Sequence, residues 1–306
     1  MPYLFTCPNC QTKTLVDDQY SGHVGRCVTC DQPIEVPHFL ATTSLPYTAI
    51  PQNRPYLGPN SKRLVAAVFG VIFIAGLVGV TYQYASPALA RLALSRDRGM
   101  TIRNLEQIAS ALNAYAADHG TYPSPVIRDS NGRPMHSWRV SILPYLNEQD
   151  IYSQYNFDEP WDSEQNIVVG NKIPAVFVTP SQSSWAGYQC SYHLVSGDRT
   201  LFPPTGPLGP KRVLDDVTKT ALVVEAATNT NASPMWTAPY ELDIRSMTGT
   251  IGTNPGVELG SVTEGGAAIA TVDGRGHFLD ESTPPEVVLA ILTASGGEPL
   301  ADDVLD

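Results

Sequence analysis

The chain has 306 residues, of which 19 are basic and 30 acidic, for a net charge of −11. That balance argues against a nucleic-acid partner, because holding phosphates takes a basic patch. Its 26 prolines and 24 glycines call for many loops, while a 42% hydrophobic content still suffices for a packed core.

Four of the five cysteines fall within the first thirty residues. Cys7-Pro-Asn-Cys10 and Cys27-Val-Thr-Cys30 are two C-x-x-C pairs separated by sixteen residues. Each pair sets two thiolates on one tight knuckle, and two knuckles complete a tetrahedral tetrathiolate shell for zinc. A module of about 35 residues buries too little apolar surface to fold alone, so the metal would supply folding energy. The alternative, a pair of disulfides, requires an oxidising compartment. Reduced thiolates instead put this end in the cytoplasm. Residues 1–38 thus read as a zinc ribbon, with zinc held by Cys7, Cys10, Cys27 and Cys30. His23 and His38 are rival ligands, but four sulfurs already close the shell. The residues around the cysteines, Val16-Asp17, Ser21-Gly22, Arg26-Cys27 and Ile34-Glu35-Val36-Pro37, resemble a short zinc ribbon found at the start of bacterial membrane and signalling proteins. The resemblance covers Phe5 to Pro37 and implies a binding module.

A proline-rich stretch follows from Asp31 to Ser61 with no helical or alternating apolar period, so residues 39–62 read as an extended tether. From Leu64 to Val80 every residue is apolar, and no charge appears until Arg91. The roughly 22 residues to Ala85 make about 33 Å of helix, against a hydrocarbon core of about 30 Å. Eleven of the first seventeen are Leu, Ile, Val or Phe, which favours insertion by about 3 to 7 kcal/mol. Residues 63–85 therefore read as one transmembrane helix with the lipid bilayer as partner. Tyr82 and Tyr84 mark one interface, Lys62 and Arg63 the other. Ala88-Leu89-Ala90 mimics a signal-peptide cleavage site, but the apolar run is too long for one. Arg54, Lys62 and Arg63 on one side against Arg91, Arg96, Arg98 and Arg103 on the other leave orientation undecided by charge.

Residues 91–306 hold 14 basic and 26 acidic groups. Ser86-Pro87 suits a helix start and Gly99 a break. From Thr101 to Asp118, Ile102, Leu105, Ile108, Leu112 and Tyr115 share one helical face, and Gly120 and Pro123 stop the helix. Strands are expected at Ala175–Val178, Gln189–Val195, Ala221–Ala226 and Ala267–Val272. Asp273-Gly274 then makes a hairpin to Gly276–Leu279. A last helix is expected with Thr283 as cap, Pro284 and Pro285 at its start, Val287–Leu292 as its body and Gly296-Gly297 at its end.

Asn104-Leu105-Glu106-Gln107-Ile108, Ala111-Leu112 and Tyr115 resemble the opening helix of a large bacterial family of pseudopilin-like proteins of unknown function. Further marks follow in order: Gly120-Thr-Tyr-Pro123, Asn131-Gly132-Arg133-Pro134, His136-Ser137-Trp138-Arg139-Val140, Leu143-Pro144-Tyr145-Leu146, Glu159-Pro160-Trp161-Asp162-Ser163 and Asn166. Leu222-Val223-Val224-Glu225 and Trp236-Thr237-Ala238-Pro239 also fit. The resemblance spans about Asn104 to Gly297. It implies a pilin-like domain, residues 86–306, with a helix packed on an antiparallel sheet, outside the cytoplasmic membrane of a bacterium. The fold class implied is α+β. The chain departs from the family where Thr263 replaces a histidine of a His-x9-Asp-Gly ending, where Ala268 and Thr271 replace an asparagine and an aromatic, and where Thr179-Pro180-Ser181 replaces Cys-Pro-Ser. The glycine and glutamate of a prepilin leader are missing too, since Arg63 precedes the span and no carboxylate lies between Leu64 and Ala90. The span is therefore expected to remain uncut, as a permanent anchor.

No nucleophile elbow, H-E-x-x-H, Walker loop or dinucleotide fingerprint occurs. His136 reads as a turn residue packed beside Trp138, Glu159 and Asp162 as turn-capping carboxylates rather than calcium ligands, and Cys190 as a buried small residue. The expectation is a non-enzymatic envelope or secretion-related scaffold, single-pass, with a cytoplasmic amino terminus and unidentified protein partners. The competing reading is a membrane-anchored hydrolase or ligand-binding protein with a site assembled from distant residues.

Overall fold

The computed structural model describes residues 2–38, 59–180, 190–227, 235–261 and 265–305, and divides the chain into two units, Met1–Ala75 and Gly76–Asp306. The first unit begins with two small hairpins. Strand β1 (Tyr3–Thr6) pairs antiparallel with β2 (Lys13–Val16), and β3 (Val24–Arg26) with β4 (Pro33–Glu35). Pro33 therefore belongs to a strand of the ribbon and not to the tether. Its neighbours 39–58, most of the expected tether, lie outside the described residues. Only Cys7, Cys27 and Val36 are buried in these hairpins. The hairpins thus lack an apolar core.

Helix α1 then runs without interruption over 61 residues, Pro59–His119. Its apolar part is long enough to cross a membrane, and the most apolar window is 0% buried. Leu64, Phe69, Ile72, Phe73 and Ile74 are all exposed. The expected start at Ser86-Pro87 and break at Gly99 do not occur. Pro87 removes one backbone bond, and Gly99 costs about 1 kcal/mol, less than a helix continued by packing on one side can absorb.

In the second unit the later turns of α1 become a core element. Leu105, Ile108 and Leu112 are fully buried, with Ile102 and Tyr115 packed at their edges. Each such side chain contributes about 1.5–3 kcal/mol of burial. The helix stops where sequence requires: Gly120 takes φ +81° and donates its N–H to the Ala116 carbonyl at 2.8 Å. A hairpin, β5 (Val126–Arg128) and β6 (Pro134–Ser137), follows. Short helices α2 (Trp138–Ser141), α3 (Gln149–Gln154) and α4 (Glu164–Gly170) come next. Ala175–Phe177 is a 3-10 turn, not the expected strand. Its position after Pro174, whose φ is fixed, and the burial of Phe177 against Trp138 and Trp236 favour a turn.

The main sheet comprises β7 (Tyr192–His193), β9 (Ala221–Glu225), β11 (Gly266–Thr271) and β12 (Gly276–Asp280), in the order β12-β11-β9-β7 and antiparallel throughout. A parallel pair, β8 (Val195–Ser196) with β10 (Leu242–Asp243), lies outside it. Every residue of β9 and β11 is buried, because the sheet is covered on both faces. Ala268 and Ala270 of β11 share a core with α1, while Ala267 and Ile269 share one with the closing helix α5 (Pro285–Ile291), through its Val288 and Ile291. The alternation follows from the two-residue period of a strand. Gly276 admits the helix: a β-carbon there would lie 2.5 Å from Ile102, and its N–H donates to Glu106 Oε1 at 3.1 Å. The N-cap position of α5 is Pro284, which makes no side-chain cap bond, rather than Thr283, and the helix ends at Ile291, before the glycine pair. The expected strand over Gln189–Val195 is two short ones, and Gln189 itself lies outside the described residues, as do Ser181 and Thr263.

Glu225 faces the interior from β9, accepting N–H of Ala268 at 3.1 Å and the Ser261 hydroxyl at 2.9 Å. Burial without a cation pushes its carboxyl up to about 7, against the pull of those two donors. The folded state therefore holds this proton longer than the unfolded chain does. The associated stability is complete below the unfolded carboxyl value of about 4.3 and is lost as pH rises through about 7. Glu225→Gln should gain stability relative to the parent chain between pH 5 and pH 8, by up to about 3 kcal/mol. Urea unfolding of both full-length proteins in one detergent measures it; a difference independent of pH would contradict it.

Candidate metal centre

The four amino-terminal cysteines converge although they come from two separate hairpins. The two knuckles are near copies. In the first, the Cys7 N–H donates to Thr12 O and the Gln11 N–H to Cys7 O, both at 2.9 Å. In the second, the Cys27 N–H donates to Gln32 O and the Asp31 N–H to Cys27 O, again at 2.9 Å. Gln11 at φ 58° and Asp31 at φ 54° take the left-handed conformation just after the second cysteine of each pair, which turns the chain back into its hairpin. The four Sγ atoms lie within 4.8 Å of one another, with Cys7 3.9 Å from Cys30 and Cys10 3.7 Å from Cys27. None is in a disulfide. Together they could hold one metal ion, each sulfur supplying one ligand.

Four thiols so close cannot lose their protons independently. Hydrogen bonding to the Thr12 hydroxyl, then to its N–H, lowers Cys10 to about 6. The Thr29 N–H lowers Cys27. Cys30 is lowered by the Gln32 N–H, yet burial and the neighbouring sulfurs outweigh that and push it up to about 12. Backbone N–H groups aimed at sulfur thus prepare part of the set for the thiolate form that a metal requires. His23 is exposed, its Nδ1 3.2 Å from the Ser21 carbonyl, and neither it nor His38 belongs to the cluster. Beside the knuckles lies a groove of about 550 Å³, lined by Phe5, Leu15, Tyr20, Val24, Val28 and Ile34 among others.

The large unit contains a second cluster that sequence reading passed over. Arg139 and Glu241, both 2% exposed in their side chains, pair at 2.6 Å. Trp138 Nε1 donates to the same carboxylate at 2.7 Å and the Leu194 N–H at 2.6 Å. Arg139 also donates to the Tyr192 carbonyl and to Ser137 Oγ, and lies 3.2 Å from His193 Nδ1. Burial, then the adjacent guanidinium, drives His193 down to about 3, so it stays neutral at any ordinary pH. Burial pushes the Glu241 carboxyl up to about 7, against the pull of the Arg139 guanidinium and of the Leu194 and Trp138 N–H groups that donate to it. Ser137, Trp138 and Arg139 belong to the His-Ser-Trp-Arg block, which the sequence marks; Glu241 lies 102 positions from Arg139 and no local pattern marks it.

The other candidates are placed as follows. His136 is buried on β6 rather than in a turn, its Nδ1 3.0 Å from the Tyr155 hydroxyl and its Nε2 3.0 Å from the Phe157 carbonyl. Glu159 and Asp162 are exposed in a turn whose carbonyls, Glu159 O and Pro160 O, accept from the fully buried Asn166. Cys190 is buried, and burial raises its thiol.

Residues 101–206, about a third of the chain, match a family model described as a protein of unknown function, DUF1559. The match begins within α1 and ends before β9, β11 and β12. No curated protein and no solved structure matches the chain.

Cys7→Ser should abolish stoichiometric metal in the purified full-length protein and cost the ribbon its hairpin structure, read by metal analysis and by amide exchange over residues 2–38. Full metal content in that variant would contradict a tetrathiolate site. Arg139→Met should destabilise the large unit by about 3–5 kcal/mol, because it leaves Glu241 buried without its cation. Arg139→Met combined with Glu241→Leu should recover much of that loss in thermal or denaturant unfolding.

Proposed function

We propose that the chain is a membrane-anchored, non-enzymatic scaffold, in which a cytoplasmic zinc ribbon is tied by one spanning helix to a pilin-like domain outside the membrane. The observation that carries this reading is the fully exposed apolar stretch of α1, which no other part of the chain covers in the described residues. A core helix would bury it. The family match over residues 101–206 agrees with the pseudopilin resemblance, as does a helix that ends against an antiparallel sheet. Zinc is the metal favoured by four thiolates in tetrahedral disposition, and reduced thiolates are kept best in the cytoplasm. The apolar groove beside the knuckles suits a binding role for the ribbon.

The non-enzymatic part rests on how the titratable groups are disposed. In the large unit, Arg139, Glu241 and His193 are sealed in the core, bonded to one another and to backbone. Such a set specifies packing and has no path to a substrate. His119 stacks on Tyr115 at 4.0 Å and is exposed. The large unit serves, in this reading, as a rigid body that presents surfaces to protein partners.

Reporter fusions at Met1 and Asp306 test the arrangement. The amino-terminal reporter should work only in the cytoplasm and the carboxyl-terminal one only outside. A carboxyl-terminal reporter active in the cytoplasm would overturn the topology and, with it, the argument that the ribbon faces a reducing space.

A further inference from the structure

Beyond the apolar stretch, α1 carries four arginines within thirteen residues: Arg91, Arg96, Arg98 and Arg103. All four are exposed. None has a carboxylate partner within 4.0 Å among the described residues, whereas Arg139, Arg199, Lys219, Arg245 and Arg275 each do. Arg98 is engaged otherwise, its guanidinium 3.5 Å from the centre of the Phe278 ring. The rest of the domain has the opposite sign: after Arg103 the sequence holds 10 basic and 25 acidic residues. The basic segment is therefore confined to the helix immediately after the candidate span; Asp97 is the one acid within it, and no ion pair holds Arg91 or Arg96 among the described residues.

Its position matches a bilayer headgroup layer. With Leu64 at one edge of a hydrocarbon core of about 30 Å, the other edge falls near Tyr84, and Arg91 lies about 10 Å of helix beyond it, where a side chain leaning back reaches a headgroup layer of about 5–8 Å. Tyr82 and Tyr84, both exposed, fall near the edge of the hydrocarbon, where aromatic side chains collect. Leu89, Leu92 and Leu94 remain exposed beyond them. Helical side chains lean toward the amino terminus, so Arg91 and Arg96 lean back toward the membrane. Arg96 lies about 7.5 Å and Arg103 about 18 Å beyond Arg91 along the axis. A screening length of about 8 Å at physiological salt keeps Arg96 within electrostatic reach of the headgroups and removes Arg103.

From this geometry we infer that Arg91 and Arg96 bind the anionic phospholipid headgroups of the bilayer that holds the span. The inference rests on the reading of residues 63–85 as membrane-spanning. Its chemistry is that of guanidinium with phosphate, which accepts in two-pronged fashion and at low cost in a partly dehydrated layer.

Full-length protein reconstituted with spin-labelled phosphatidylglycerol or phosphatidylcholine tests it. The restricted lipid around the parent chain should be enriched in phosphatidylglycerol, and that preference should weaken at high salt. Arg91→Gln and Arg96→Gln should each lower the relative association of phosphatidylglycerol, by about fivefold at low salt, while Arg103→Gln leaves it unchanged. Equal preference in the Arg91→Gln/Arg96→Gln variant and the parent, or equal loss in Arg103→Gln, would overturn the assignment. So would a change in cross-linked dimer in purely zwitterionic bilayers, since it would assign the arginines to the acidic domain of a second copy. Absence of any restricted lipid, of either headgroup, would instead strike the spanning helix itself and take this inference with it.

Discussion

The fold depends on one continuous helix that satisfies nearly all its interior backbone groups by itself, the bond that Pro87 cannot donate excepted. Because N–H and C=O pair along the helix, the surroundings of its side chains are free to change without ending it. Over Leu64 to Val80 the side chains are apolar on every face and exposed. From Thr101 onward only one face is apolar, and that face lies on the sheet. Neither Pro87 nor Gly99 is sufficient to break it, since each removes one local contribution while bonds on both sides persist. Polar side chains then fix the helix to the sheet. Asn104 donates to the Val178 carbonyl and the Tyr192 hydroxyl, Asn113 to the Val272 carbonyl, and Glu106 accepts from Gly276. The motif Asn104-Leu105-Glu106-Gln107-Ile108 is thus a docking surface: two residues enter the core and two bond to the sheet.

The two ends of the chain obtain their order by different means. The ribbon has four small strands and almost no buried apolar surface, so its convergent sulfurs are what can hold it. The large unit has cores on both faces of its sheet and places its charges deliberately inside. A buried pair such as Arg139–Glu241 adds little net stability compared with apolar packing, but breaking it is expensive. It joins α2, the β7 backbone and the segment before β10, and so fixes the register between parts that contribute no shared strand.

Much of this was legible in sequence where a periodic or spaced pattern exists. The cysteine spacing specified two knuckles, and both formed. The heptad-like positions of Ile102, Leu105, Ile108, Leu112 and Tyr115 specified the core face, and Asp273-Gly274 the hairpin between β11 and β12. What was hidden depends on contacts distant in sequence. Glu241 resembles any surface acid until Arg139 and Leu194 are placed beside it. Val176 and Phe177 have strand-like residue types, but a preceding proline and two tryptophans decided for a turn. Helix limits were also obscure, because Pro87 and Gly99 are ordinary stop signals that a long, externally supported helix overrides.

The central claim is that α1 exchanges lipid for protein core without a break, and a spin-label scan along it is the most direct test. Single labels placed from Leu64 to Ala116 in the full-length chain, reconstituted in bilayers, report exposure to oxygen, which dissolves in lipid, and to a water-soluble nickel chelate. The account predicts high oxygen and low nickel accessibility on all faces from Leu64 to about Tyr84. It predicts a water-accessible zone near Arg96, and then a helical period of about 3.6 residues with both reagents excluded at Leu105, Ile108 and Leu112. Nickel accessibility across Leu64 to Val80, or loss of the helical period around Gly99, would contradict it.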